Sequence, residues 1–387
     1  MNSRIRSTAC ARLAVLAALA VAIGTCSAAR DGAPAAAAPA AAVPQLVRPD
    51  GTYPVRALEK DVVVVKVIQN GVTNLQQAPS IEAGLKANLD TMLRLARQAC
   101  STGKKPDFLL YNEFPLTGYS EGTREEKLKF TIRIPGPETE ALGAMARECD
   151  TWIIFGSYAR DDEWPGHILS LNAVIDRKGQ VAARYWKTRN VKRLTPGNEI
   201  PTTTIEGVRD RYRARYGIEA EFPVLQTEYG NIAVSTVQMD PFVFAAYAMR
   251  GVEIMFRTAT LFSASDVRAI AQFNNFYSAM SNITFPPESP AAKMGGQSLI
   301  VGPRGQVLAE DPRNAEGIIE AEIPIAAFRR NRRIPHYPLE VVAPVFAQYV
   351  QETPLNHMDR PPGELPATGK DMAGLIDVTS RWLSPPP

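Results

Sequence analysis

The stretch Asn112-Glu113-Phe114-Pro115-Leu116-Thr117-Gly118-Tyr119 decides how this chain folds. It ends an apolar run at residues 108–113, which predicts a buried strand that finishes on a carboxylate and a turn. Turn chemistry explains Gly118 but not its neighbours, because only glycine enters left-handed turn conformations without steric cost. Glu113 is therefore a candidate functional side chain, and the alternative is an ordinary carboxylate at a strand end.

Strand and helix patterns alternate on both sides of this stretch. Residues 62–69 form a continuous, largely β-branched run, which is typical of a strand buried on both faces. Ser80 can cap a helix that runs to about Cys100 with its apolar residues on one side. Further strands are predicted at 152–158, 171–176, 181–186, 232–237, 253–257, 297–301, 306–309 and 317–323, and further helices at 137–148, after 241 and at 266–276. The order predicts a single α/β domain with one layered core.

The N-terminus has the pattern of an export signal. Three arginines precede a short apolar run at residues 13–24, and small residues follow it. We predict a secretory signal at 1–28, with an uncleaved anchor as the alternative. Cys26 follows Ile23-Gly24-Thr25 in a lipobox-like sequence, so lipidation at Cys26 and simple cleavage after Ala28 remain open.

The remaining boundaries follow from composition. Residues 29–52 form an Ala/Pro-rich linker, 53–335 form the folded domain, and 336–387 form a Pro-rich C-terminal extension. The expected location is outside a bacterial cytoplasm, either periplasmic or tethered to the envelope. There are 43 Lys+Arg against 40 Asp+Glu, and three of the arginines lie in the acid-free signal. The balanced remainder gives no reason to expect a nucleic acid partner.

Cysteines and histidines are few. Beyond the signal region only Cys100 and Cys149 remain, and both end helix-like stretches. A disulfide between them is an option that the sequence leaves open. No cysteine pair has the spacing of metal ligands and the chain has three histidines, so we expect neither a structural zinc site nor a cofactor.

Four further segments are informative because of the order in which they occur along the chain. They are Ile134-Pro135-Gly136-Pro137-Glu138-Thr139, Arg184-Tyr185-Trp186-Lys187, Arg250-Gly251-Val252-Glu253-Ile254 and Gly296-Gln297-Ser298-Leu299-Ile300-Val301. Together with the stretch around Glu113 they resemble, in order, the motifs of the nitrilase superfamily of carbon–nitrogen hydrolases. Residues 256–259 and 274–275 resemble its aliphatic amidase and formamidase branch.

This resemblance implies a fold and a chemistry. The fold is a four-layer α-β-β-α sandwich, and homodimers or higher oligomers are common among such proteins. The chemistry uses a thiolate nucleophile, a carboxylate base and a lysine that stabilises the developing oxyanion. Glu113 would be the base and Lys187 the stabiliser, although neighbouring basic residues also allow Lys187 to be a solvated strand residue. Glu163 is a weaker candidate for a second supporting carboxylate, and a structural role fits it as well.

The nucleophile position departs from the family pattern. Counting back from Pro241 places Ser235 there, whereas counting forward from Gly230 places Val237 there. Neither is a cysteine. A thiol ionises near a pKa of ~8.5 and a hydroxyl several units higher, so a base suited to cysteine is poorly matched to serine. Lys187 could serve as the base for Ser235 only in its neutral form, which a nearby Glu113 carboxylate would disfavour.

Three functions are compatible with these residues. The first is an exported amidase-like hydrolase acting on the C–N bond of a small amide. The second is a non-catalytic protein that binds a small amide-like ligand or a protein partner in the old pocket or on its surface. The third is a structural envelope lipoprotein tethered to the membrane through Cys26.

Overall fold

A computed structural model describes residues 48, 50–119, 122–190, 201–348 and 355–379. The predicted signal with Cys26, most of the linker and residues 191–200 lie outside these residues. The following description covers the described residues alone.

Two six-stranded sheets form the centre of the molecule. The strands are β1 (Val63–Gln69), β2 (Phe108–Leu110), β3 (Trp152–Ala159), β4 (Leu169–Ile175), β5 (Val181–Trp186), β6 (Leu225–Thr227), β7 (Gly230–Ser235), β8 (Ile254–Ala259), β9 (Tyr277–Asn282), β10 (Ser298–Val301), β11 (Val307–Asp311) and β12 (Gly317–Ile323). The helices are α1 (Ile81–Ser101), α2 (Arg124–Leu128), α3 (Pro137–Cys149), α4 (Arg209–Tyr216), α5 (Pro241–Met249), α6 (Ala264–Asn274), α7 (Ile325–Asn331), α8 (Leu339–Phe346) and α9 (Gly369–Thr379).

The two sheets have the same strand arrangement. The first sheet has the order β12-β1-β2-β3-β4-β5 and the second β11-β10-β9-β8-β7-β6. In each, three parallel strands are flanked by antiparallel ones: β1, β2 and β3 in the first, and β7, β8 and β9 in the second. Polar residues that follow parallel strands of both sheets can therefore form one site.

Two apolar cores hold the sheets and helices together. One core fills the space between the sheets and takes residues such as Val65 and Phe108 from the first sheet and Val234 and Phe256 from the second. A second core lies outside the first sheet, where α1 and α3 cover it. The continuous apolar run of β1 follows from burial on both of its faces. The predicted mixed α/β sandwich in a single domain is confirmed.

Helix starts match their sequence signals. Ser80 caps α1 by accepting a hydrogen bond from the Ala83 N–H at 3.1 Å. Pro137 lies in the first turn of α3 and Pro241 in the first turn of α5. These features are local, so they could be recognised without knowing the tertiary structure.

Two predicted strand ends need correction, and two strands, β6 and β9, were not predicted. β2 ends at Leu110, so Glu113 lies in the turn beyond the strand. β7 runs from Gly230 to Ser235, which places Val237 after the strand instead of inside it. β9 was not predicted, because its small and polar residues lack the apolar pattern of a strand. The strand lies between β8 and β10, where the Ser281 hydroxyl donates to the Ile68 carbonyl, whereas the Ser278 hydroxyl has no partner among the described residues.

A disulfide joins Cys100 at the end of α1 to Cys149 at the end of α3. The two helices lie side by side over the first sheet. The bond therefore links two elements of one layer that are separated by 49 residues in sequence.

The C-terminal extension contains two helices, α8 and α9. Within the described residues, no helix is long and apolar enough to cross a membrane.

Candidate functional site

The turn after β2 holds Glu113 in a fixed position. Asn112 is fully buried, and its side-chain oxygen accepts a hydrogen bond from the Phe114 N–H at 3.0 Å. Phe114 stacks on Tyr158 with ring centroids 4.0 Å apart. Gly156 allows the close approach of this turn, because a Cβ atom there would lie 2.3 Å from the Glu113 carbonyl oxygen. The Glu113 carboxylate is consequently positioned by rigid neighbours.

Lys187 directly follows β5 and faces Glu113. Its N–H donates to the Ser170 carbonyl at 2.9 Å, and its carbonyl accepts from the Ile205 N–H at 3.1 Å. The Lys187 Nζ lies 3.4 Å from the Glu113 Oε1, and the two side chains are 15% and 5% exposed. The structure thus brings the two main predicted residues together as a largely buried ion pair.

The segment at 235–240 lies between β7 and α5 and forms the other side of the site. Asp240 caps α5 by accepting from the Val243 N–H at 3.3 Å. Met239 has a φ of 51°, which marks a sharp turn just before the helix. We call residues 235–240 the elbow.

An ion pair connects the elbow to the Lys187 side of the site. Arg189, two residues after Lys187, forms a salt bridge with Asp240. Tyr185 on β5 also donates to the Ile232 carbonyl on β7 at 3.3 Å. These contacts join the edge of the first sheet to the strand that leads into the elbow.

Neither candidate for the nucleophile position is a cysteine. Val237 is fully buried and aliphatic. The Ser235 Oγ accepts a hydrogen bond from the Val237 N–H at 3.2 Å. Thr236 is buried, and its hydroxyl has no partner among the described residues.

A buried arginine on β8 binds the backbone of the elbow. Arg257 on β8 is fully buried, and its Nη2 donates to the Val237 carbonyl and to the Asp266 carboxylate, both at 2.8 Å. Its guanidinium also lies 4.2 Å from the centre of the Phe244 ring. Burial lowers the pKa of Arg257, and the Asp266 carboxylate opposes that shift. Arg257 holds the Val237 backbone in place.

Glu163 lies elsewhere. Its side chain is 45% exposed, and its carboxylate pairs with Arg215 on α4 and accepts from the Tyr216 hydroxyl. This surface position does not support the predicted supporting role in the site, because the charge of Glu163 is already matched by Arg215.

Some buried polar atoms near the contact between the two sheets have no hydrogen-bond partner among the described residues. Asn172 on β4 accepts a hydrogen bond from the Thr258 hydroxyl on β8 at 2.6 Å, which crosses from one sheet to the other. Among the described residues, the side-chain nitrogen of Asn172 has no partner, nor has the hydroxyl of Ser170. Such groups are expected to bind a water or a ligand.

The sequence reasoning missed Asn172, Arg189 and Arg257 as parts of this region. Only an arginine inside the apolar strand pattern of β8 could have indicated one of them, since a buried charge needs a partner. The described residues contain no group of three or more His, Cys, Asp or Glu side chains that could hold a metal ion.

Known proteins share this architecture. The carbon–nitrogen hydrolase family model matches residues 72–333. The bifunctional nitrilase/nitrile hydratase NIT4B of Lupinus angustifolius is 24% identical over 294 residues, which cover 66% of this chain and 78% of that protein. NIT4B of Nicotiana tabacum is 24% identical over 298 residues, with the same coverage of 66% and 78%.

Solved structures agree at the level of the fold. A carbon–nitrogen hydrolase from Helicobacter pylori G27 matches with a TM-score of 0.57 and 17% identity, over 75% of this chain and all of the other. A mutant amidase from Nesterenkonia sp. AN1 carries the acetamide moiety of fluoroacetamide on its active site cysteine. It matches with a TM-score of 0.50 and 18% identity, over 74% of this chain and 97% of the other. The sandwich of two sheets, the order of the motifs and these matches agree, and the chain belongs to the carbon–nitrogen hydrolase family.

Proposed function

We propose that this protein binds a small amide-like ligand at the Glu113–Lys187 ion pair and does not cleave it. The observation that carries the proposal is the elbow, which has serine, threonine and an aliphatic valine but no cysteine, and whose Ser235 Oγ accepts from the Val237 N–H at 3.2 Å. Family chemistry needs a nucleophile within hydrogen-bond reach of its base. Here the charge pair is retained and the elbow has no cysteine.

The polar groups around the pair suit an amide. An amide has a carbonyl oxygen that can accept from Lys187 and an N–H that can donate to Glu113, which lie 3.4 Å apart. Two further buried polar groups, the side-chain nitrogen of Asn172 and the hydroxyl of Thr236, have no hydrogen-bond partner among the described residues. A ligand that pairs these groups would remove the cost of leaving them buried and unsatisfied.

The binding test uses thermal unfolding with acetamide, propionamide and isobutyramide. A ligand that binds only the folded state raises the free energy of unfolding by RT ln(1 + L/Kd), where L is the ligand concentration, so the unfolding temperature rises with the logarithm of the ligand concentration once this exceeds the dissociation constant. We expect at least one amide to stabilise the wild type, Glu113→Gln to lose that response, and the exposed Glu288→Gln to keep it. Absence of stabilisation by every amide would rule out the binding proposal.

Hydrolysis through Ser235 is the second candidate, and the retained Glu113–Lys187 pair favours it. Against it, Lys187 in an ion pair is the charged form and has no lone pair with which to take the serine proton. Ammonia release from the same amides distinguishes the two candidates. Release by the wild type that disappears in both Glu113→Gln and Ser235→Ala would replace the binding proposal with an amidase.

We also propose that the protein is exported and tethered to the bacterial envelope through Cys26. The Cys100–Cys149 disulfide supports export, since such bonds persist in oxidising compartments. Growth of a bacterial expression host with labelled palmitate tests the tether. We expect label in the wild-type protein and none in Cys26→Ser, whereas an unlabelled wild type would favour simple cleavage after Ala28.

A further inference from the structure

Residues 205–208 bind the backbone of Lys187 and of the residue after it. The Ile205 N–H donates to the Lys187 carbonyl at 3.1 Å, and the Glu206 N–H donates to the Thr188 carbonyl at 2.9 Å. We call residues 205–208 the inner segment. Lys187 is bound to β4 through its own N–H and to the inner segment through its carbonyl, so the inner segment is one of two backbone supports of this lysine.

The C-terminal extension binds the inner segment in turn. The Asn356 N–H donates to the Glu206 carbonyl at 3.0 Å, and the Met358 N–H donates to the Gly207 carbonyl at 2.8 Å. Glu206 thus donates toward the end of β5 and accepts from the extension. A continuous series of backbone hydrogen bonds therefore connects the C-terminal extension to the chain that carries Lys187.

An apolar contact accompanies these hydrogen bonds. Met358 is fully buried and belongs to the same core as Ile205, Val208 and Trp186, the residue before Lys187. A Cβ atom on Gly207 would lie 3.1 Å from the Cβ of Met358, so the two chains approach closely at this point. Burial of the Met358 side chain keeps the extension docked on the inner segment.

The side chain of Asn356 fixes the alignment of the two chains. Its oxygen accepts from the Asp210 N–H at 2.8 Å, and its nitrogen donates to the Asp210 carboxylate at 2.8 Å. Asp210 lies in the first turn of α4, directly after the inner segment. Asn356 has a φ of 63°, a left-handed conformation that asparagine tolerates better than most residues. These contacts set which residues of the extension face the inner segment.

We propose that Asn356 and Met358 are positioning residues for Lys187. They hold the inner segment, which holds the Lys187 backbone and so keeps its amine beside Glu113, 3.4 Å away. Their effect on ligand binding rests on the proposed function, in which Lys187 donates to the carbonyl of a small amide. A side chain that is ordered before the ligand arrives removes an entropic cost from binding, so a loosened Lys187 should bind an amide more weakly.

The test measures the inner segment and the lysine directly, on the full chain and without a ligand. Hydrogen exchange of the peptide that contains Ile205 and Glu206 reports local opening. Acetylation by acetic anhydride, mapped by mass spectrometry, reports how available the Lys187 amine is. Met358→Ala should speed this exchange on the order of tenfold or more and increase acetylation of Lys187, because a cavity replaces the buried side chain.

Two further variants guard against a general loss of folding. Met358→Leu keeps the apolar volume and should restore the wild-type exchange and acetylation. Asn356→Gly keeps the left-handed backbone accessible and removes only the contacts with Asp210, so it should change both measurements in the same direction by a smaller factor.

The matched control is Met372→Ala, which truncates a methionine that is 4% exposed on α9 of the same extension. It should leave both measurements at Lys187 and the inner segment unchanged. Equal changes in Met358→Ala and Met372→Ala would overturn the proposal, because the effect would then be a general loss of stability. Faster exchange with unchanged acetylation of Lys187 would also overturn it, because the inner segment would then open without moving the amine.

Amide binding supplies a separate measurement. Where an amide stabilises the wild type, Met358→Ala should raise its dissociation constant and Met372→Ala should not; an unchanged dissociation constant would overturn the role in binding. Absence of amide binding by the wild type would remove the proposed function and leave exchange and acetylation as they are. Failure of the positioning role and failure of the ligand site are therefore distinguishable.

Discussion

The two sides of the site differ in what they retain. On the first sheet, Glu113 and Lys187 follow β2 and β5 and form the charge pair that the family resemblance implies. On the second sheet, the elbow carries serine, threonine and valine, and a buried arginine holds its backbone. In the proposed function, the first side keeps the charges that would bind and polarise an amide, whereas the elbow has no cysteine to attack it. Binding and bond cleavage can be tested apart through these two sides.

Of the changes predicted here, removal of the Arg257 side chain should cause the largest loss in the free energy of unfolding. Arg257→Met leaves the Asp266 carboxylate without its buried partner and frees the Val237 carbonyl. Breaking a buried ion pair by removing one member costs about 3–5 kcal/mol in the free energy of unfolding. Urea unfolding measures this loss. The control is Arg268→Met, an exposed arginine that donates to the Gly305 carbonyl, with an expected loss of about 1 kcal/mol. Equal losses would mean that Arg257 does not support the elbow.

Introduction of a cysteine into the elbow should allow the protein to hydrolyse small amides. If the first side is intact, Ser235→Cys or Val237→Cys supplies the nucleophile, and general base assistance from Glu113 contributes on the order of 10²-fold or more in rate. Ammonia release from small amides measures the gain, and the variant that gains identifies the nucleophile position. Glu113→Gln in that variant should return the rate to background. No gain in either variant would show that the first side has also lost its function.

Acid is expected to lower the stability of the segment that holds Lys187. His167 is buried next to β4, and its Nδ1 lies 2.7 Å from the Thr203 hydroxyl. Burial lowers the pKa of His167 to about 4, from the ordinary value of 6.5. The unfolded chain therefore binds more protons than the folded one between these pH values, and the free energy of unfolding falls as the pH drops from about 6.5 to about 4.

The expected size of this loss is on the order of 2 kcal/mol. Urea unfolding at pH 7 and at pH 4.5 measures it, and His167→Gln should remove this part of the pH dependence. The Thr203 backbone bonds to Ile168, and nearby Ile205 bonds to the Lys187 carbonyl, so the acid effect is expected at the segment that holds Lys187. An unchanged pH dependence in His167→Gln would assign the acid response to other groups.

Features set by neighbours in sequence could be predicted, and features set by distant contacts could not. The Ser80 cap and the apolar run of β1 follow from local rules and were correct. β9 escaped prediction because the hydrogen bonds that satisfy Ser281 and Asn282 come from residues far away in the chain.

The same distinction applies to the site. Glu113 and Lys187 came from motif resemblance, and the structure places them 3.4 Å apart. For Glu163 the sequence left a structural role open, and the structure places its side chain on the surface in a pair with Arg215, a direction that sequence distance from β4 does not reveal. The role of Arg257 depends on β8 lying beside β7, and no local pattern contains that information.

The disulfide between α1 and α3 makes the stability of the protein depend on where it is. A closed loop of this length restricts the unfolded chain by about 4 kcal/mol in the chain-entropy view. If the protein is exported as proposed, the two thiols stay separate in the reducing cytoplasm, so a newly made chain is easier to keep unfolded for passage through a translocation channel. After passage the bond would form, and the folded state would gain that stability on the far side. Disulfide formation after export would then stabilise the folded state and disfavour a return to the unfolded chain.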